Sequence, residues 1–215
     1  MSKYRLHNLD RFVLLTLFLL VYNADINAQS LIKKYFQLPC AEKRWVICHL
    51  FISKHIFELS EEAINATKSL LTDTTLDGDM SGRQLDAFRH AYWMALITQK
   101  YGVKIAMSLG KAHEKGNYQY YKRNKKEEGI LPDFESSQMD FLNNDIGIEI
   151  GKNIQFDNKT MLKALVINYI KEGKLYVLFK NKSNLYLDCN RNIIVNDKKS
   201  WYSGKCIVPS NYKKE

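Results

Sequence analysis

The sequence predicts a mainly α protein: a single-domain helical bundle with a small C-terminal β-hairpin or three-stranded sheet. Three observations carry that expectation. Apolar residues recur at steps of three and four along most of the chain between Ala41 and Glu172. Gly102, Gly116 and Gly173 fall at the ends of such runs, where glycine commonly closes a helix. After Gly173 the period changes to short runs separated by Asn, Asp, Lys and Gly, a β-type pattern. With 215 residues, 46% of them apolar, the chain is long enough to bury a core.

The first 28 residues read as a signal peptide rather than as part of the fold. Lys3, Arg5 and Arg11 form a positive start, and Phe12–Tyr22 is apolar except for Thr16. Ile26–Ala28 before Gln29 then reads as a cleavage site ending in a small residue. The apolar run falls short of the roughly 20 residues that span a bilayer, so no transmembrane span is expected after cleavage. An uncleaved N-terminal anchor is the alternative. The absence of Cys at the cleavage point argues against a lipoprotein. The expected compartment is therefore the periplasm or the outside of the cell, and the expected division is 1–28 signal, 29–173 helical domain, 174–215 β-rich extension.

Ser30–Leu38 is a short amphipathic lead-in closed by Pro39, and Ala41–Leu71 reads as one long helix. His49 and His55 lie on that stretch six residues apart, so they do not share a face, and they read as surface or satisfied interior histidines. Asp77–Gly82 fits the first six positions of a calcium-binding EF-hand loop, but Phe88 stands where the bidentate Glu belongs. A turn rich in Asp and Gly is the better reading. Helices follow over Gln84–Tyr101 and Val103–Glu114. Asn117–Phe134 reads as an excursion, either a lid or a loop. A fourth helix runs from a Ser136 or Ser137 cap to about Asn153, and a fifth over Thr160–Glu172, capped by Asp157 or Asn158.

In an oxidising compartment the cysteines read as disulfides, and proximity favours Cys40–Cys48 and Cys189–Cys206. Their spacing is unlike a zinc site. The net charge of +9 and pI of about 9.2 favour an anionic partner or substrate. The lysines are scattered apart from Lys122–Lys126, which reads first as a solvated loop and second as a phosphate or membrane contact. Nucleic acid is not expected, because export argues against it.

Polar groups that can bind a metal or move a proton interrupt the apolar helical pattern in three places. Asp86 and His90 are four apart and share one face of a helix. His113 and Glu114 close the next one. His90 lies 12 residues before Gly102 and His113 lies 11 after it, so the two imidazoles meet if the helices form an antiparallel hairpin. Asp140, Asn144, Gly147 and Gly151 form one stripe on the fourth helix, with Asn143 beside it. Asp86, His90, His113 and Asp140 are then candidate ligands for a divalent metal, zinc or manganese, with iron also compatible. His90, His113, Glu114, Asn143 and Asn144 are candidate catalytic residues. Glu114 is the expected general base, and the two asparagines are expected to orient substrate or ligands. The competing reading is a buried hydrogen-bonded network that fixes helix registry and catalyses nothing, in an envelope or surface module. Signatures such as His-Glu-x-x-His, Gly-x-Ser-x-Gly or a P-loop are missing.

At Asp86–Trp93, Ala112–Glu114 and Met139–Gly147 the chain resembles an uncharacterised bacterial domain family whose motifs read DAFRHAYW, AHE and MDxxNNxxG. Ala41–Trp45 resembles the family's first helix, so the likeness covers about Pro39 to Phe179. The family has no established activity. Related domains occur in exported bacterial proteins and at the ends of large toxin-like proteins, which implies a hydrolytic effector. The Cys189–Cys206 tail looks like an addition to the family pattern.

Overall fold

A computed structural model describes residues 26–126, 129–154, 158–195 and 200–212. The expected signal sequence falls on residues outside these, up to Asp25, as do Asp157 and the stretch at 196–199. The chain divides into two compact units, Met1–Leu38 and Pro39–Glu215. In the first, helix α1 (Ile26–Gln37) begins ahead of the expected cleavage point. No helix among the described residues is long and apolar enough to cross a membrane.

The second unit is mainly helical, with a small antiparallel sheet near its C-terminus. Its centre is α4 (Gln84–Tyr101), in which residues on every side are buried, from Leu85 round to Thr98. A helix buried all round must be wrapped by others. α3 (Leu50–Ser69), α5 (Val103–Lys122), α6 (Phe134–Asn153) and α7 (Lys159–Lys171) do the wrapping, with β1 (Tyr176–Leu178) at one end.

The α4–α6 contact is the closest. A Cβ on Gly147 would stand 2.2 Å from the Ala91 carbonyl oxygen, and one on Gly151 would stand 2.6 Å from that of Ala95. Only glycine allows this approach, and both glycines lie on the stripe that contains Asp140 and Asn144. It brings those two side chains against α4.

Several boundaries differ from the sequence reading for identifiable reasons. The expected helix Ala41–Leu71 is broken at His49 (φ −130°, ψ 36°) into α2 (Cys40–Cys48) and α3. The apolar face continues across the break, so periodicity does not register it. His49 stacks on Trp45 and its Nδ1 lies 2.8 Å from the Trp45 carbonyl oxygen.

Helix α5 runs eight residues past Glu114, to Lys122. Gly116 is a point of close packing there rather than a stop, because a Cβ would stand 2.5 Å from Pro39 Cγ. The first third of the expected excursion, Asn117–Lys122, is thus helix, and Asn117, Ile130 and Pro132 from this stretch line a pocket. Helix α6 starts at Phe134, because Asp133 and Ser136 form a reciprocal capping box. Asn158 caps α7 through the Thr160 amide.

In the tail, β1 (Tyr176–Leu178) pairs antiparallel with β2 (Ile207–Pro209), Val177 opposite Val208. Leu185–Leu187 and Ile193–Val195, expected as strands, contribute only the single bridges Lys180–Tyr186 and Leu187–Ile193 among the described residues. Cys189 and Cys206 form the expected disulfide. Cys40 and Cys48 do not: both are free and exposed. They are the first and last residues of α2, and eight steps at about 1.5 Å of rise place their Cα atoms near 12 Å apart, well beyond disulfide reach.

Candidate functional site

Asp86 lies in the first turn of α4 and His90 one turn later on the same face. The Asp86 carboxylate is held at both oxygens. Oδ2 accepts from the Gly82 amide at 2.8 Å, and Oδ1 accepts from Arg89 Nη2 at 2.7 Å. Gly82 itself has φ +71°, and Leu178 Cδ1 stands 2.6 Å from where its Cβ would be. The loop before α4 therefore needs glycine both for its backbone and for the close approach of β1.

His90 is fully buried between α4 and α6. Its Nδ1 lies 3.2 Å from Asn144 Oδ1, which can only accept, so Nδ1 carries the proton. That leaves a lone pair on Nε2. Arg89 Nη2 lies 3.4 Å from this nitrogen, Asp140 Oδ1 3.4 Å and Asp86 Oδ1 3.7 Å. Asp140 Oδ1 is buried and has no hydrogen-bond partner.

Burial, reinforced by the positive charges of Arg89 and His113, holds the His90 pKa well below its usual value and keeps the ring neutral. Burial together with the charges of Asp86 and Glu114 pushes the Asp140 pKa well above the carboxylate range. Burial is the leading cause of both shifts, and the Arg89 guanidinium acts against the rise at Asp140.

Asp86, His90 and Asp140 each offer a ligand atom within 4.8 Å of the others, and this is the group among the described residues that could hold a metal ion. Two carboxylates and an imidazole nitrogen suit zinc or manganese.

The expected meeting of His90 and His113 across the hairpin occurs, with ring centroids 5.8 Å apart. His113 is nevertheless outside the ligand group. It packs edge-on to Trp93, and its Nδ1 lies 3.0 Å from Glu42 Oε1 on α2. Glu114 is buried and accepts from Asn117 Nδ2 at 3.1 Å.

Asn143, expected to orient substrate or ligands, is engaged elsewhere. Its Nδ2 donates to the Tyr176 carbonyl and its Oδ1 accepts from the Tyr176 amide, each at 2.9 Å. The side chain thus imitates a neighbouring strand and clamps β1 to α6.

The carboxylates of the loop at Asp77–Gly82 have protein partners, in keeping with a turn rather than a calcium loop. Asp77 pairs with Arg83 at 3.0 Å and Asp79 with Lys180 at 2.8 Å, so buried cations already occupy the carboxylates.

Asp86, Arg89 and Asp140 reach a pocket of about 270 Å³, completed by Ser81, Asn117, Ile130, Pro132, Tyr186 and Lys205 among others. Sequence reasoning missed the tail's contribution. Tyr186 lies between two cations, with Lys205 Nζ 4.1 Å and Lys180 Nζ 4.6 Å from its ring centroid. Lys205 also pairs with Asp133, next to the start of α6. Glu42 was missed as well. Its one advance signal is that it belongs to the helix resembling the family's first.

A family model described as a domain of unknown function (DUF6973) matches residues 43–174, more than half of the chain. The chain belongs to this family. The DUF6973 match contains Asp86, His90, His113, Glu114, Asp140 and Asn144, whereas Leu178, Tyr186 and Lys205 on the pocket wall lie beyond it. Glu42 stands one residue ahead of it. No curated protein and no solved structure matches this DUF6973 chain.

Proposed function

We propose that this DUF6973 protein is an exported, metal-dependent hydrolase of an ester, phosphoester or amide. In this reading Asp86, His90 and Asp140 hold one zinc or manganese ion. The observation that carries it is the convergence of two buried carboxylates on a lone-pair nitrogen, with Asp140 Oδ1 lacking any donor. Acceptor atoms so arranged repel one another until a proton or a cation joins them. The 3.4 Å separation of Asp140 Oδ1 from His90 Nε2 falls within the roughly 3.3–3.6 Å that tetrahedral arms of about 2.0–2.2 Å would set, and the 3.7 Å of Asp86 Oδ1 lies just above it. Asn144 supports the same role by fixing the His90 tautomer that exposes Nε2.

A bound zinc or manganese ion supplies Lewis acidity and lowers the pKa of water. Glu114, whose charge reaches Asp140, is the general base that takes up the proton. His113 stands beside the ligand group and assists in that transfer. The pocket admits a small reacting group, with Arg89 and Lys205 on its walls to favour an anionic substrate. The Cys189–Cys206 disulfide supports a working environment outside the cytosol.

Elemental analysis of the purified full chain tests the reading. About one equivalent of zinc or manganese is expected, lost in His90→Ala and Asp140→Asn while the helical circular dichroism persists. Native protein that neither carries nor takes up either ion in calorimetric titration would sink it.

The Arg89–Asp86 ion pair favours a second reading, in which the cluster is architectural and the protein is a non-enzymatic envelope or surface module. In that case Asp140→Asn and His113→Gln lower the melting temperature and alter no hydrolytic activity.

A further inference from the structure

We propose that Glu42 is a positioning residue that fixes the tautomer and orientation of His113 against the Asp86–His90–Asp140 cluster. Its effect on turnover rests on the hydrolase reading, whereas its effect on the imidazole does not.

Glu42 lies in the first turn of α2, and its Oε1 is 3.0 Å from His113 Nδ1. An ionised carboxylate only accepts hydrogen bonds, so Nδ1 is the protonated nitrogen. In the neutral ring the lone pair then sits on Nε2, on the other edge. The ring is held from two further sides, by Trp93 edge-on at 5.4 Å and by His90 at 5.8 Å between centroids. Acid, ring and cluster therefore follow one another from α2 to α5 to α4.

The placement is built rather than incidental. α2 is docked along α5 at two more points. The Ala41 amide donates to Gln119 Oε1 at 3.0 Å, and Trp45 Nε1 donates to Ser108 Oγ at 2.8 Å. Gly116 makes the room: a Cβ there would stand 2.5 Å from Pro39 Cγ and 3.1 Å from Glu42 Oε1. The hollow thus seats Pro39 and the Glu42 carboxylate together against α5. This side-chain pair is also only partly exposed, His113 at 19% and Glu42 at 16%.

Carboxylates that hold a metal-ligating imidazole in one tautomer are worth about 10–100-fold, and His113 stands beside such a ligand, His90, rather than in the ligand group. A comparable loss of kcat, with KM and metal content unchanged, is expected here for Glu42→Ala. The direct readout is the long-range proton–nitrogen NMR spectrum of the His113 ring in the full chain at alkaline pH. Wild type should show Nδ1–H. Glu42→Ala should shift His113 toward Nε2–H, and Glu42→Gln, whose amide oxygen still accepts, should keep the native pattern.

A wild-type His113 carrying its proton on Nε2 overturns the proposal without any variant. So does a Glu42→Ala protein that retains Nδ1–H, or one whose tautomer changes while the turnover of an active wild type does not. Metal-free, inactive wild type would remove the hydrolase reading alone, and the tautomer would still decide the role of Glu42.

Discussion

Gly147→Ala is the substitution through which fold and site fail together. The new Cβ would stand 2.2 Å from the Ala91 carbonyl oxygen and 2.8 Å from its carbonyl carbon and Cα. Cβ contacts essentially never fall below 3.0 Å, so the shortfall at the oxygen is 0.8 Å. The obstacle is helix backbone, which cannot swing aside as a side chain would, so α4 and α6 must separate. Overpacking of this kind costs about 3 kcal/mol, the upper end of the usual range. For a chain of this size that is roughly 6–12 °C in melting temperature. The same separation would draw Asn144 and Asp140 away from His90, now at 3.2 and 3.4 Å. Urea unfolding followed by circular dichroism, with metal titration of the same sample, measures both effects. Gly110→Ala is the control. Its Cβ would meet Asn144 Nδ2 at 3.3 Å and Met94 Sδ at 3.6 Å, side-chain atoms that can yield, so it should cost less than about 1 kcal/mol. A Gly147→Ala protein within 0.5 kcal/mol of wild type, or no worse than Gly110→Ala, would refute the close-approach argument.

Two further outcomes follow from the same geometry. Burial depresses the native His90 pKa below the unfolded value of 6.5, so the unfolded chain binds a proton that the native fold refuses. In chelator-treated protein this term makes stability fall as pH drops below 6.5; Asp140, shifted upward, contributes with the opposite sign, and His90→Gln should lose the His90 part of the slope between urea midpoints at about pH 7.5 and 5.5, equal slopes refuting it. Asn143→Ala strands both the amide and the carbonyl of Tyr176, at a cost of roughly 2–4 kcal/mol, and should speed amide exchange across Tyr176–Leu178; a change below about 1 kcal/mol would mean that the clamp does not hold the strand.

The sequence by itself determined the helical class, most helix cores, the Cys189–Cys206 pairing and the facing of His90 and His113. Each follows from spacing along the chain. A period of 3.6 sets which residues share a face, and near-equal distances from Gly102 set which residues meet across a tight turn. The glycines at 147 and 151 could be read the same way, because they share the stripe of Asp140.

What spacing does not encode is which atoms meet once helices distant in the chain dock. The docking of α2 decided that the Glu42 carboxylate faces His113 Nδ1, a nitrogen that the sequence had offered to a metal. It also turned Gly116 from an expected stop into a packing hollow, since a glycine facing another helix and a glycine ending one look alike in sequence. Asn143 and Asn144 are adjacent and chemically identical, yet one clamps a strand and the other orients an imidazole. Successive helical residues point about 100° apart, so their neighbours, not their type, assign the work. Asp86–His90–Asp140 is the result of both levels. Local helical geometry supplied its first pair, and only the glycine-lined contact of α4 with α6 brought the second carboxylate within 3.4 Å of His90.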